Sequence, residues 1–188
     1  AGYWQVYYIS DDKEWRVSSQ INFKPYCLII MKGIVFTEFL EFVENHHGIV
    51  MVDKLIGTSK LESKGVYSSI GTYDHSEMVQ LVSTLSKETS VPIGKLLTIY
   101  GEHFFSILYK SYPSFFEKVT DCFEFLNTVD NYIHPEVLKL YPDADLPRFE
   151  TEAMSKSEMR LVYHSERALY PFAEGIIIGL MLHYTNGK

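Results

Sequence analysis

Residues 161–172, LVYHSERALYPF, begin as an alternating pattern with an unusual polar face. Tyr163, Ser165 and Arg167 stand two residues apart, so on a β-strand all three side chains would point to one face. That face offers two hydroxyls and a guanidinium, each able to donate hydrogen bonds. Two interpretations stay open from these residues alone: a solvent-facing strand, or a clamp for a carboxylate or another anion.

Composition restricts the class of protein to which this stretch belongs. The 188 residues are 46% apolar and 22% charged, which is typical of one soluble globular domain, and 15% are aromatic. A net charge of −7 argues against nucleic-acid binding. The most apolar stretch, residues 27–36, is too short to cross a bilayer, and no targeting segment is visible. We therefore expect a cytoplasmic protein that does not bind membranes.

Outward from this stretch, the periodicity predicts strands, then helices, then strands and a last helix. A hairpin is predicted in residues 1–30, and helical spacing begins near Phe36 and stops at Gly48. The further helix starts are Asp74 with Glu77, Pro92, and Ser114 as the cap of a helix that carries Phe115 to Val129.

Strands return at residues 148–153 and 158–167, and an apolar helix ends at Asn186. The order predicts a single α+β domain, residues 1–188. Its mainly helical part is 31–147, and its sheet strands and last helix are 148–188.

His134 is the most suggestive single position, because it stands on an apolar stripe. Pro135 should end or kink the preceding helix at His134 and begin the next turn. On that turn His134 shares a face with Val137, Leu138 and Tyr141. The residues leave two interpretations open: a hydrogen-bonded core histidine, which periodicity alone favours, or a metal or haem ligand.

The histidine and the Tyr-Ser-Arg alternation, with LYPDADLP between them, together resemble the haem nitric oxide/oxygen binding family, the H-NOX domains. The resemblance covers most of the chain from Met31 onward, and its motifs are MKGIVFTEFLEFVE, GTYDH, TLSKET, NYIHPEVLKLYPDADLP, YHSER and FAEGIIIG. It implies an α+β fold in which a helical subdomain packs on an antiparallel sheet with haem b between them.

The resemblance also assigns roles to individual residues. His134 matches the proximal ligand of the haem iron, and Pro147 matches the proline that presses on the porphyrin and bends it. Tyr163, Ser165 and Arg167 match the triad that binds the haem propionates. The other residues expected at the haem are Leu138 and the distal set Val35, Phe39, Phe104, Leu108, Phe172 and Ile176.

No side chain of this distal set carries a hydrogen-bond donor. Family members that hold O2 stably have a tyrosine at the position of Phe172. Bound O2 gains from a donor and ferrous NO does not need one, so the resemblance predicts a ferrous NO sensor that also binds CO and binds O2 poorly.

As the family is understood, NO weakens the bond from His134 to the iron, the haem distortion relaxes, and the signal passes in trans. A histidine kinase or a cyclic-dinucleotide signalling enzyme is the expected partner. The distal set also lacks the acid/base group of a peroxidase, so we expect no enzyme activity. The alternative is a haem-free module on the same fold that binds another carboxylate ligand.

Two features depart from the family pattern. Residues 25–30, PYCLII, look like the family's final strand although they precede Met31. We therefore expect a circular permutation in which the hairpin of residues 1–30 completes the C-terminal sheet; an unrelated N-terminal extension is the alternative. Some members bind zinc near that hairpin, but Cys27 is alone there and Tyr170 stands where another cysteine would be, so no zinc is expected.

Overall fold

The structure, a computed structural model, describes residues 3–10, 16–20, 30–167 and 169–185, with only the backbone for 3–10 and 16–20. The chain forms two compact units. The sheet unit comprises Ala1–Cys27, Tyr112–Tyr170 and Tyr184–Lys188, and the helical unit comprises Leu28–Ser111 and Pro171–His183.

The secondary structure follows the predicted order of strands, helices, strands and helix. The first elements are β1 Tyr3–Ser10, β2 Arg16–Gln20, β3 Ile30–Lys32, α1 Gly33–His47, α2 Ile49–Thr58, β4 Thr72–Asp74, α3 His75–Thr89 and α4 Ile93–Ser111. A 3-10 turn at Pro113–Phe115 follows, then α5 Cys122–Thr128, a π-helical turn at Val129–Ile133, α6 His134–Leu140, β5 Arg148–Ala153, β6 Glu158–Ser165 and α7 Tyr170–Thr185. The predicted α+β class is confirmed.

The sheet unit is organised around β6. Its antiparallel sheet has the order β2-β1-β6-β5, and β6 pairs on one side with β1 (Val6 opposite Val162) and on the other with β5 (Glu150 opposite Val162). Residues 161–163 are all buried, so both faces of this central strand are covered there. Strand β1 therefore lies in the same sheet as the C-terminal strands. The permutation itself stays a prediction, and residues 25–29 of its proposed last strand lie outside the described part.

The helical unit has a core of aromatic and aliphatic side chains supplied by the predicted apolar faces. Asp74 is the N-cap of α3, as predicted, and its carboxylate accepts a hydrogen bond from the Ser76 N–H at 2.7 Å. Helices α4 and α7 touch at two glycines. A Cβ atom on Gly175 would lie 2.1 Å from the Thr98 carbonyl oxygen, so only glycine fits there.

Two sequence predictions of helices were wrong or incomplete. Ser114 does not cap the fourth helix, because residues 113–115 form a 3-10 turn and α5 begins at Cys122. Asp121 is the cap instead: its carboxylate accepts from the Glu124 N–H at 2.8 Å, and Glu124 reaches back to the Thr120 N–H at 3.0 Å. This reciprocal pair satisfies two helix-terminal donors. Helix α2, directly after Gly48, was not predicted.

The length and hydropathy of the helices decide whether any of them could span a membrane. Among the described residues, no helix is both long and apolar enough to cross a bilayer.

Candidate functional site

His134 stands where the backbone changes from the π-helical turn to α6. Pro135 has no N–H to donate to the turn before it, and the wider turn at Val129–Ile133 accommodates this missing donor. The predicted break at His134 is thus a π-helical turn. The His134 side chain is 17% exposed, and its ring lies 5.9 Å from the ring of Phe149 in β5.

Asp130 holds the imidazole of His134 from one turn earlier. The Asp130 Oδ1 atom lies 3.1 Å from His134 Nδ1, and Asp130 Oδ2 accepts a hydrogen bond from the Phe149 N–H at 2.9 Å. Oδ1 is buried and accepts no hydrogen bond of good geometry. The two side chains are therefore close together but do not form an ideal hydrogen bond. A carboxylate beside Nδ1 leaves Nε2 as the nitrogen for a metal.

The protonation state of His134 suits a metal ligand. Burial lowers the pKa of the imidazole, and the nearby Asp130 carboxylate opposes this shift. A lowered pKa keeps the ring neutral near pH 7, and a neutral imidazole is the form that binds metals. The local structure is therefore compatible with a nitrogen ligand, and a neutral core histidine would show the same direction of pKa shift.

The Tyr-Ser-Arg alternation is built differently from the predicted strand face. Tyr163 and Ser165 belong to β6, but the strand ends at Ser165 and Arg167 lies beyond it. The Arg167 N–H donates to Ser165 Oγ at 3.1 Å, and this bond turns the backbone after the strand. Only Tyr163 and Ser165 therefore share a strand face.

The three side chains still offer the chemistry of an anion clamp. Tyr163 is buried, and burial raises the pKa of its phenol, so its hydroxyl remains a neutral donor. The Arg167 side chain is 11% exposed, and its Nη2 lies 3.2 Å from Asp145 Oδ2. A guanidinium with several donors can keep one carboxylate and bind another.

Asp145 connects the clamp to the segment that follows α6. This segment, residues 141–147, also carries Pro147, which is partly buried. The ion pair with Arg167 therefore ties the loop of Pro147 to the end of β6. Leu138, predicted beside the haem, lies on α6 with a side chain that is 39% exposed.

The predicted distal residues lie in the helical unit, on α1, α4 and α7. Phe39 and Phe104 are buried and Phe172 is partly buried, and the structure brings all three rings around a residue that was not predicted, Tyr100. The ring of Tyr100 lies 5.1 Å from that of Phe39, 5.9 Å from that of Phe104 and 5.1 Å from that of Phe172.

The other distal residues are placed next to this cluster along the chain. Val35 supplies a backbone carbonyl that accepts from the Tyr100 hydroxyl. Leu108 and Ile176 follow Phe104 and Phe172 by one helical turn and are partly buried. By residue type, the six predicted side chains carry no donor, and Tyr100 adds one hydroxyl to the cluster.

Sequence reasoning missed Tyr100, Asp130 and Asp145. Tyr100 was visible as a member of the apolar stripe of α4, four residues before Phe104. Asp130 was visible as a carboxylate four residues before His134, the spacing at which helical side chains meet. No local pattern indicates that Asp145 pairs with Arg167.

The donor set of the sheet unit fits a haem. It combines a neutral imidazole, a guanidinium and two hydroxyls, which are the groups needed by a metal in a flat apolar ring that carries carboxylates. Aromatic rings next to the imidazole, such as Phe149, add apolar surface. The residues present are therefore compatible with this cofactor.

Comparisons with known proteins agree with this fit. The family model HNOB, described as Haem-NO-binding, matches residues 32–187. A structure of an Fe(II) unliganded H-NOX protein mutant from K. algicida is 49% identical, with a TM-score of 0.79 over 82% of this chain and 83% of that chain. The IWP-051-bound H-NOX from Shewanella woodyi, in the Fe(II)CO ligation state, is 38% identical, with a TM-score of 0.71 over 83% and 82%.

A third solved structure extends the similarity to an NO-bound form. The H-NOX protein from S. oneidensis in the Fe(II)NO ligation state is 27% identical, with a TM-score of 0.76 over 82% of this chain and 85% of that chain. No curated protein matches the chain.

Proposed function

Since this chain belongs to the Haem-NO-binding family of haem-binding gas sensors, we propose that it is a ferrous haem b sensor selective for NO. The observation that carries the proposal is the pairing of His134 with Asp130 on the same unit as the Tyr163, Ser165 and Arg167 clamp. A metal ligand and a carboxylate clamp on one unit suit a cofactor with both features.

His134 would hold the iron through Nε2, and Arg167 with the two hydroxyls would bind the propionates. A bound haem would supply an iron site for a diatomic gas, and NO binding there would release His134. The chain must then accept a released His134. Asp130 is already 3.1 Å from Nδ1, so the freed imidazole keeps a partner inside the protein.

A movement of His134 would be transmitted to the sheet through Asp130. Asp130 also accepts a hydrogen bond from the Phe149 N–H, so a shift of the imidazole acts on β5 through one carboxylate. Asp145 and Pro147 lie on the loop that leads into the same strand, and Pro147 would press on the porphyrin. We propose that these contacts convert ligand binding into a movement of the sheet unit, which a partner protein detects.

Selectivity for NO over O2 would come from the helical unit. None of Val35, Phe39, Phe104, Leu108, Phe172 and Ile176 can donate a hydrogen bond from its side chain. Bound O2 needs such a donor more than NO does. CO needs none either, and relatives have been solved in CO-bound and NO-bound states.

The chain would act as a sensor module and not as an enzyme, with the signal passed in trans to a histidine kinase or a cyclic-dinucleotide enzyme. We further propose a cytoplasmic location and no zinc. The sensor role follows from the family and from the absence of a distal acid/base group in the predicted set. The absence of zinc follows from Cys27 being the lone cysteine of its region.

The test is the absorption spectrum of the purified protein, reduced and then exposed to NO. We expect a Soret band that shifts to that of a five-coordinate nitrosyl, and no stable oxy spectrum in air. A stable oxy spectrum would contradict the selectivity. A colourless protein that cannot be reconstituted with haem would instead support a haem-free module whose clamp binds another carboxylate.

A further inference from the structure

Tyr100 carries a hydroxyl and places its ring next to those of three distal residues named above, Phe39, Phe104 and Phe172. The residue is 1% exposed, and its hydroxyl donates to the Val35 carbonyl oxygen at 2.7 Å. Burial raises its pKa well above that of an ordinary tyrosine, so the hydroxyl keeps its proton. A phenol has only one O–H to donate, and this one is already used.

The ring of Tyr100 is held as firmly as its hydroxyl. It stacks on Phe172, with the ring planes 20° apart, and meets Phe39 edge to face at 80°. Behind it, Gly101 in α4 faces α7 so closely that a Cβ atom there would lie 2.2 Å from the Phe172 carbonyl oxygen. Tyr100 therefore cannot move away from Phe172 unless the helix backbone moves too.

We propose that Tyr100 is a positioning residue that sets ligand specificity: it fixes Phe172 and withholds its own hydroxyl from the ligand by donating it to Val35. This inference rests on the proposed function. It divides the discrimination against O2 into two parts. Phe172 has no donor to offer, and the donor that exists nearby is committed to the backbone of α1.

The proposal differs from a purely structural role in what it predicts for a bound ligand. A structural tyrosine affects only stability, whereas a positioning residue also affects how uniform the ligand's surroundings are. Loss of the hydroxyl should free the first turns of α1 and let the Phe172 ring sample more positions. No new donor appears, so O2 should still not be held.

The test compares Tyr100→Phe with Tyr73→Phe. Both variants lose one hydroxyl in the helical unit, but that of Tyr73 accepts from the Ser68 N–H and Tyr73 has no ring contact with Phe172. In the haem-free proteins, amide hydrogen exchange in residues 33–39 should rise about five-fold for Tyr100→Phe, the factor for one hydrogen bond of average strength. Tyr73→Phe should change exchange near Ser68 only.

In the haem-loaded proteins, the readouts are the C–O stretching band of the ferrous CO complex and the rate of CO release. For Tyr100→Phe we expect a broader band and faster release, because the Phe172 ring would sample more positions beside the ligand. Tyr73→Phe should match the unmodified protein. An unchanged band and release rate for Tyr100→Phe would overturn the proposal.

Three outcomes would overturn the proposal for Tyr100, and the measurements distinguish them. A band that moves to higher frequency without broadening would mean that the Tyr100 hydroxyl donates to the ligand and is not withheld. A protein that binds no haem would overturn the proposed function together with this role, whereas normal NO binding with indistinguishable variants would overturn the role of Tyr100 alone.

Discussion

The sheet unit and the helical unit contribute opposite kinds of chemistry. The sheet unit contains two separate pairs of charged or polar side chains, with Nδ1 of His134 3.1 Å from Asp130 and Nη2 of Arg167 3.2 Å from Asp145. In the helical unit, Phe39, Phe104 and Phe172 surround Tyr100, and its one polar atom is bonded to the backbone. The first group of residues offers hydrogen-bond donors, whereas the aromatic cluster has the Tyr100 hydroxyl already bonded to a backbone carbonyl.

The proposed function makes two different demands on these residues, affinity for a haem and discrimination between gases. Affinity for a haem needs a metal ligand and cations for carboxylates, and these groups are strongest when partly buried. Discrimination against O2 needs the reverse, an environment without free donors. Under the proposed function the two requirements fall on different sets of residues, and the following experiments test whether each can be changed without the other.

The largest effect is expected from removing the proposed iron ligand. His134→Ala should lose haem during purification and regain it when imidazole is added, because free imidazole can replace the missing side chain. Haem content per chain, from the Soret absorbance, measures this. His164→Ala is the control, since His164 Nε2 lies 3.2 Å from Glu150 in the same unit. Normal haem retention by His134→Ala without imidazole would exclude His134 as the ligand.

A hydrogen-bond donor introduced into the helical unit should remove the contrast between the two units. Phe172→Tyr introduces a hydroxyl at the distal position without adding a charge, and we expect a ferrous protein that holds O2 in air. Phe172→Leu, which removes the ring but adds no donor, is the matched control. The visible spectrum after exposure to air distinguishes them. If neither variant, or both, gives an oxy spectrum, donors do not decide the selectivity.

The carboxylate behind the histidine should have a smaller effect. Asp130→Asn keeps an oxygen for the Phe149 N–H but removes the negative charge beside Nδ1, and loss of such a partner weakens metal binding by about 10- to 100-fold. Haem transfer to an acceptor protein measures the affinity. Glu136→Gln neutralises a carboxylate on α6 that pairs with Lys139, and this control should behave like the unmodified protein.

Pro147 should influence haem shape more than haem affinity. Pro147→Ala removes the ring that is proposed to press on the porphyrin, so a flatter haem is expected even without NO. Out-of-plane porphyrin modes in the resonance Raman spectrum report this directly. Pro142→Ala is the control, because Pro142 is exposed and lies at the start of the same loop. Unchanged out-of-plane modes in Pro147→Ala would reject the coupling.

The smallest effect is a pH dependence in the helical unit. Burial lowers the pKa of His103, and the facing His46 adds to this, while Glu41 opposes it and Lys110 reinforces it. The unfolded chain therefore binds the proton more readily, so stability is complete above about pH 6.5 and declines as the pH falls through the lowered folded pKa.

His103→Gln should flatten this decline between pH 7.5 and 5.5. The imidazole is only partly buried, so solvent screening limits the effect to about 0.5 kcal/mol. Urea unfolding of the haem-free protein at each pH provides the free energies. His47→Gln, on the exposed end of α1, is the control, and an identical pH profile for His103→Gln would contradict the assignment.

Sequence patterns were sufficient for the elements that depend on neighbours along the chain. The apolar period of α1, the Asp74 cap and the strand at 148–153 follow from local preferences, and the structure confirms them; the strand predicted at 158–167 is present but ends at Ser165. The predicted start of α5 was wrong, because two N-cap signals lie close together in this part of the sequence. Asp121 with Glu124 satisfies two backbone donors, and Ser114 stands in a 3-10 turn instead.

By itself, the sequence determined the α+β class, the family, and the residue types at each proposed haem contact, because periodicity and spaced motifs are properties of the linear chain. Only the tertiary structure decided which polar groups are already occupied. The Tyr100 hydroxyl meets a carbonyl 65 residues away, and the Arg167 guanidinium meets a carboxylate from another loop. Such partners depend on how distant segments pack, and no local preference encodes them.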